Sequence, residues 1–126
     1  NFFAELKAIN PYVKIAYHSD GDISPIIPEL IEIGLDVLNP VQPASMEPAK
    51  LKQEFGDQLS FWGTIDEQQT LPFGSSSDVK ADVHERLSTI GKDGGLILSP
   101  THQVQLDTPI ENFWAMVNTI TNTPYQ

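Results

Sequence analysis

Four short apolar runs, each broken off by a polar cluster and then followed by a helical pattern, constrain this 126-residue chain more than any other feature. The first is Val13 to Tyr17, where Val13, Ile15 and Tyr17 alternate against Lys14 and Ala16 before His18-Ser19-Asp20-Gly21-Asp22. Val37-Leu38 then runs into Asn39-Pro40-Val41-Gln42-Pro43, and Leu59 to Trp62 into Gly63-Thr64-Ile65-Asp66. Leu96-Ile97-Leu98 ends in Ser99-Pro100-Thr101-His102-Gln103. A buried parallel strand has this form where its C-terminal end opens onto a site.

The segments between the runs read as helices. Phe2 to Ile9 supplies the last turns of one, stopped at Asn10 because a residue before proline is pushed out of the helical region. Ser24-Pro25 opens the next, with Ile26, Ile27, Leu30 and Ile31 as its apolar stripe and Gly34 as a left-handed stop. Glu47-Pro48 begins a third that carries Leu51 and Phe55 inward and ends at Gly56. Glu67 to Ser75 reads as a long loop. A serine of Ser75 to Ser77 caps a helix with Val79, Val83, Leu87 and Ile90 at near-helical spacing, closed by Gly91. Thr108-Pro109-Ile110-Glu111 has the pattern of a capping box, and Ile110, Phe113, Trp114, Val117 and Ile120 form the stripe expected to be buried. Thr121 to Gln126 is a polar end.

Strands that alternate with helices imply a parallel sheet with right-handed crossovers. Four such units make half of an eight-stranded barrel, whereas an open four-stranded sheet leaves unpaired edges. The predicted fold is therefore α/β, the C-terminal half of a TIM (β/α)8 barrel in one domain over residues 1–126; an open doubly wound sheet is the alternative. Asn1-Phe2-Phe3 opens inside a helix and without methionine, which reads as a segment of a longer protein.

Charge and composition remove several function classes. Seventeen acidic residues against seven basic ones give a formal charge of -10, a surface that repels phosphate backbones, so nucleic acid is not an expected partner. Without cysteine there are neither disulfides nor thiolate ligands, and a cytoplasmic home is the default. No apolar run approaches the roughly 20 residues that span a bilayer, so no membrane partner is expected.

In a parallel α/β sheet the strand tips emerge on one side, so His18, Asp20, Asn39, Gln42, Trp62, Thr64, Asp66, Thr101 and His102 should converge. Two imidazoles and a carboxylate, from His18, His102 and Asp20, suit zinc or another divalent metal with a position left for substrate. The plainer alternative has both histidines bonded to loop carbonyls or substrate and Asp20 capping a turn. Asp66, and to a lesser degree Asp22, could serve as general acid or base if burial raised a pKa, though an aspartate after a strand more often caps the next turn. His84 is expected in solvent, Trp62 and Trp114 in packing, and Gly94-Gly95 precedes a strand, so it is a turn and not a phosphate loop.

His18-Ser19-Asp20-Gly21, Gly34 to Pro40, Trp62 to Asp66, Ser99 to His102 and Asp107 to Asn112 together resemble the uroporphyrinogen decarboxylase superfamily, over nearly the whole chain. The resemblance implies the C-terminal half of that family's barrel. It also implies one of two chemistries: cofactor-free decarboxylation of a porphyrinogen on the way to haem, or methyl transfer between a corrinoid protein and a small acceptor. Thiol-using methyltransferases of the family hold zinc with a His-x-Cys pair and a later cysteine; here those places read His18-x-Asp20 and His102. The decarboxylase branch carries a histidine in the place of His102, while Asn39 to Pro43 looks more like the methyltransferase-like paralogues.

The leading expectation is a methyltransferase-like enzyme segment. His18, Asp66 and His102 are its catalytic candidates, and His18, Asp20 and His102 its metal candidates. Asn39, Gln42, Trp62, Thr64 and Thr101 are expected to contact a small-molecule substrate. Decarboxylation without metal is the alternative, and a non-catalytic half-barrel that self-associates is the third. The expected partner is the N-terminal half-barrel of the same chain or a homodimer mate.

Overall fold

The computed structural model describes residues 1–124, and of the polar end only Tyr125 and Gln126 lie outside the described residues. Helix α1 (Phe2–Ile9) is capped by the Asn1 side chain, which accepts from the Phe3 N–H, and Asn10 before Pro11 closes it. Strand β1 (Ala16–His18) follows; then a 3-10 turn at Ser24–Ile26 leads into α2 (Ile27–Glu32). Strand β2 (Val37–Val41), α3 (Pro48–Phe55) and β3 (Ser60–Ile65) continue the alternation. A short helix α4 (Thr70–Phe73) and α5 (Ser76–Ser88) precede β4 (Leu96–Pro100) and α6 (Ile110–Asn122).

The four strands lie side by side in chain order and every pair is parallel. This is the α/β half-barrel expected from the sequence: consecutive strands are neighbours, and each crossover carries a helix. One register shift interrupts β2 between Leu38 and Val41, where the Asn39–Pro40 peptide bond is cis.

The strands do not start and stop where hydropathy suggested. Pairing begins at Ala16 and not Val13, because the Ile15 N–H is taken by the Asp36 carboxylate (2.8 Å). Three strands reach past their apolar runs, to Val41, Ile65 and Pro100, since parallel neighbours keep pairing through the first polar tip residues. Part of the stretch from Glu67 to Ser75 is the helix α4, whose Leu71 and Pro72 are buried.

The helices cover one face of the sheet. Ile15, Ile27, Leu38, Val41, Leu51 and Phe61 belong to one apolar cluster beneath the first helices, and Ile65, Leu71, Val79, Val83, Ala115 and Met116 form a second beneath α4 to α6. By strand alternation, Trp62 and Ile97 point to the opposite, inner face, where they are 40% and 51% exposed.

Caps explain most helix ends. Ser75 and Asp78 form a reciprocal capping box on α5, and Glu47 accepts from both Ala49 and Lys50 on α3. Gly34 has the positive φ (+106°) expected of a left-handed stop. Gly56 and Gly91 stop their helices differently: their φ is not positive, but a Cβ would lie 2.4 Å from the Lys52 carbonyl oxygen and 2.9 Å from that of Leu87. Two expected caps are absent. Ser24 leaves its helix start to the 3-10 turn, and the Thr108 hydroxyl is buried without a partner among the described residues, so no capping box opens α6. On α6 the buried line is Asn112, Ala115 and Met116, with Phe113, Val117 and Ile120 of the expected stripe packed against the same cluster. Ile110 and Trp114 are exposed, and Trp114 packs only edge-on against the Phe113 ring (centroids 5.4 Å apart) among the described residues.

Candidate functional site

The C-terminal ends of β1 and β4 bring His18 and His102 together although 83 residues separate them in the chain. Their ring centroids are 6.0 Å apart and their planes meet at 63°, edge to face. The His18 side chain is 52% and that of Asp20 60% exposed, so both open to the rim. Asp20 Oδ1 lies 3.9 Å from His18 Nε2.

Beneath His18 sits Asn39, 9% exposed and set in the irregular part of β2. Irregularities of this kind re-aim a side chain next to a site. Asn39 Oδ1 is 2.5 Å from His18 Nδ1, and its amide nitrogen donates to the Trp62 carbonyl (3.2 Å). The Ser19 N–H donates in turn to the Asn39 backbone carbonyl (2.9 Å). Gln42 Oε1 accepts the Gly21 N–H (3.1 Å), which fastens the loop after β1 to the end of β2. Asn39 and Gln42, expected to touch substrate, therefore hold the loop that carries His18 and Asp20.

The remaining candidates divide in the same way. Thr64 and Thr101 are buried; the Thr101 N–H extends the ladder by donating to the Ile65 carbonyl (2.9 Å). Thr64 has a φ of +82°, and its hydroxyl has no partner among the described residues. Trp62 stands on the open inner face and remains available to a ligand.

Asp66 takes the capping role. Its Oδ1 accepts from the N–H groups of Gln68 (2.9 Å) and Gln69 (3.2 Å), and among the described residues no hydrogen bond or ion pair joins it to either imidazole. Asp22 likewise accepts from the Ser24 N–H (2.9 Å); hydrogen bonds from Ser24 hold its carboxyl below the usual value, opposite to what a general acid needs.

Sequence reading passed over one buried charge beside this rim. Asp82, on α5, is 7% exposed, and its Oδ1 receives Arg86 through Nε (2.9 Å) and Nη2 (2.8 Å). Burial raises its carboxyl, and the Arg86 charge opposes that rise. Its Oδ2 accepts the Asp66 N–H at 3.4 Å, which steadies the tip of β3. The i, i+4 spacing of Asp82 and Arg86 was the available signal.

Among the described residues no three His, Asp or Glu side chains are gathered so as to hold a metal ion. His18 Nδ1 faces Asn39, and Asp20 and His102 stand beside His18 without closing around a common point. The donors present thus do not fit a metal in this arrangement. A shallow cavity of about 590 Å³ lies at the opposite ends of the strands, among Lys14, Asp57, Gln58, Gly94 and Ile97, far from the imidazoles.

The sequence profile of the family described as "Uroporphyrinogen decarboxylase (URO-D)" matches residues 1–123. Among solved structures, a methyltransferase from Methanosarcina mazei superposes with a TM-score of 0.69 at 25% identity, over 89% of this chain. The chain spans only 32% of that protein's length. No curated protein matches it in sequence.

Proposed function

The chain belongs to the uroporphyrinogen decarboxylase family, and from that premise we propose that it is the catalytic C-terminal half-barrel of a methyl-transferring enzyme whose reaction centre is the rim between His18 and His102. The observation that carries this reading is the approach of those imidazoles at 6.0 Å on one rim of a parallel sheet. Their half-open setting leaves ring nitrogens for a ligand, and the likeness to a methyltransferase favours methyl transfer over the family's other chemistry.

In this reading the small acceptor enters over Trp62. His18 or His102 takes the acceptor's proton as its heteroatom attacks the methyl group, and the electron pair of the breaking bond leaves with the carrier. The methyl donor is a corrinoid borne by a partner protein and is a substrate of the site, not a resident group. Asp20, 3.9 Å from His18 Nε2, stabilises the imidazolium once the proton has moved. The complementary half-barrel covers Trp62 and Ile97 and pairs with the free edges of β1 and β4, and the enzyme works in the cytoplasm.

The test is methyl transfer from a methylated corrinoid by the intact protein. Turnover that falls by about 100-fold or more in both His18→Ala and His102→Ala supports the reading. The family description itself supplies the competing outcome: carboxyl release from a porphyrinogen without methyl transfer would replace this proposal with decarboxylation.

A further inference from the structure

The hydrogen-bond chain from Trp62 through Asn39 to His18 fixes more than a position. A backbone carbonyl only accepts, so the group that meets the Trp62 oxygen at 3.2 Å must be the Asn39 NH2. The reversed amide would set two oxygens against each other there. The end of Asn39 that meets His18 is therefore its oxygen, again an acceptor, at 2.5 Å from Nδ1. An acceptor facing Nδ1 demands a proton on that nitrogen, and the tautomer of a histidine is set by the bond its inner nitrogen makes.

We propose that Asn39 is a positioning residue that locks neutral His18 in the Nδ1–H tautomer and so presents the bare lone pair of Nε2 at the rim. This deepens the functional reading of the site and rests on it for its significance, though not for its test. Nε2 is the nitrogen on the side of Asp20, and His102 stands edge to face with the same ring. A lone pair there accepts a proton or meets an electron-poor centre. It does not donate to a carboxylate, whose negative charge Asp20 would also repel. Asn39 can play this part because it is itself nearly buried and held by a main-chain oxygen, so that its amide cannot turn over without leaving that oxygen bare.

The experiment is nitrogen NMR of 15N-histidine-labelled intact protein, without substrate, at a pH where the imidazole is neutral. The expected wild-type spectrum has a protonated-type Nδ1 and a lone-pair-type Nε2 for His18, assigned by its loss in His18→Gln. Asn39→Leu should shift it toward the Nε2–H form. A wild-type His18 already protonated at Nε2 overturns the proposal even if no variant folds, and so does an Asn39→Leu spectrum unchanged from wild type. Because no substrate is present, failure of methyl transfer with the signature intact would count against the functional reading alone.

Discussion

The two ends of this parallel sheet treat charge in opposite ways. At the base, before β2, the Asp36 carboxylate meets Lys7 at 2.8 Å, Lys14 at 3.5 Å and the Ile15 N–H at 2.8 Å. Lys7 also donates to the Gly34 carbonyl (2.7 Å), so one carboxylate ties together α1, β1 and the turn after α2. At the rim, Asp20 has only His18 at 3.9 Å among the described residues, and both side chains are more than half exposed. The base sets strand register with charges that have fixed partners. The rim keeps hydrogen-bonding capacity free, which is what a ligand needs.

The largest effect that could break this contrast is catalytic. His18→Ala and His102→Ala should each cost about 10²–10⁴ in turnover. His102→Ala should leave stability within about 0.5 kcal/mol, and His18→Ala, which strands the nearly buried Asn39 oxygen, should cost about 1 kcal/mol. Steady-state rates beside thermal melts check this. A large loss of stability at either position would make the rim as structural as the base.

Next comes a polar group near the rim that is fully satisfied. Asn112, 3% exposed on α6, donates to the carbonyls of Leu71 (3.0 Å) and Gly74 (2.7 Å) and accepts from the Ser76 hydroxyl (3.0 Å). Asn112→Ala strands these partners in a buried setting and should cost about 2–3 kcal/mol in urea denaturation. An effect under 0.5 kcal/mol would mean that satisfied polar contacts do not hold the loop after β3.

Asp36 sharpens the base side. Burial pushes its carboxyl up, but the Lys7 hydrogen bond, the Ile15 N–H and the two lysine charges outweigh that and hold it below its ordinary value of 3.8. A carboxyl lowered in the folded state contributes stability above its unfolded value and loses it as the pH falls through the folded one. Asp36→Ala should therefore destabilise by about 2 kcal/mol at neutral pH, and the difference from wild type should shrink below about pH 3.8. Asp82 runs the other way: burial raises its carboxyl, so its contribution declines as the pH rises past the ordinary carboxylate range. Denaturation midpoints measured from pH 3 to pH 7 separate the two.

How much of this was legible beforehand follows from what each feature depends on. The order of strands and helices could be read because apolar runs, prolines and glycines act locally, and the meeting of His18 with His102 followed from parallel topology alone. The roles of Asn39, Gln42 and Asp66 could not. Each is a polar residue at a strand tip, and only the fold decides whether its amide or carboxylate meets a main-chain group or solvent. The stripe on α6 was right for Phe113, Val117 and Ile120, which pack against the core, and wrong for its two other members. Periodicity identifies an apolar face, but α6 turns Asn112, Ala115 and Met116 inward and leaves Ile110 and Trp114 outside.

Thr64 gives the smallest effect and the finest division between the two ends. It lies in β3 next to Ser99 of β4, is fully buried, holds a φ of +82° and leaves its hydroxyl without a partner among the described residues. A base-like, purely structural position would not carry both an orphaned donor and a backbone conformation that β-branched residues avoid, because each costs on the order of 1 kcal/mol or more. Thr64→Val keeps the shape and the backbone strain but removes the hydroxyl, so the fold should gain about 0.5–1 kcal/mol. If the hydroxyl serves the rim, the same variant should lose turnover while it gains stability. A variant that is less stable, with turnover unchanged, would place Thr64 with the satisfied groups of the base and move the boundary of the site outward to His18 and His102.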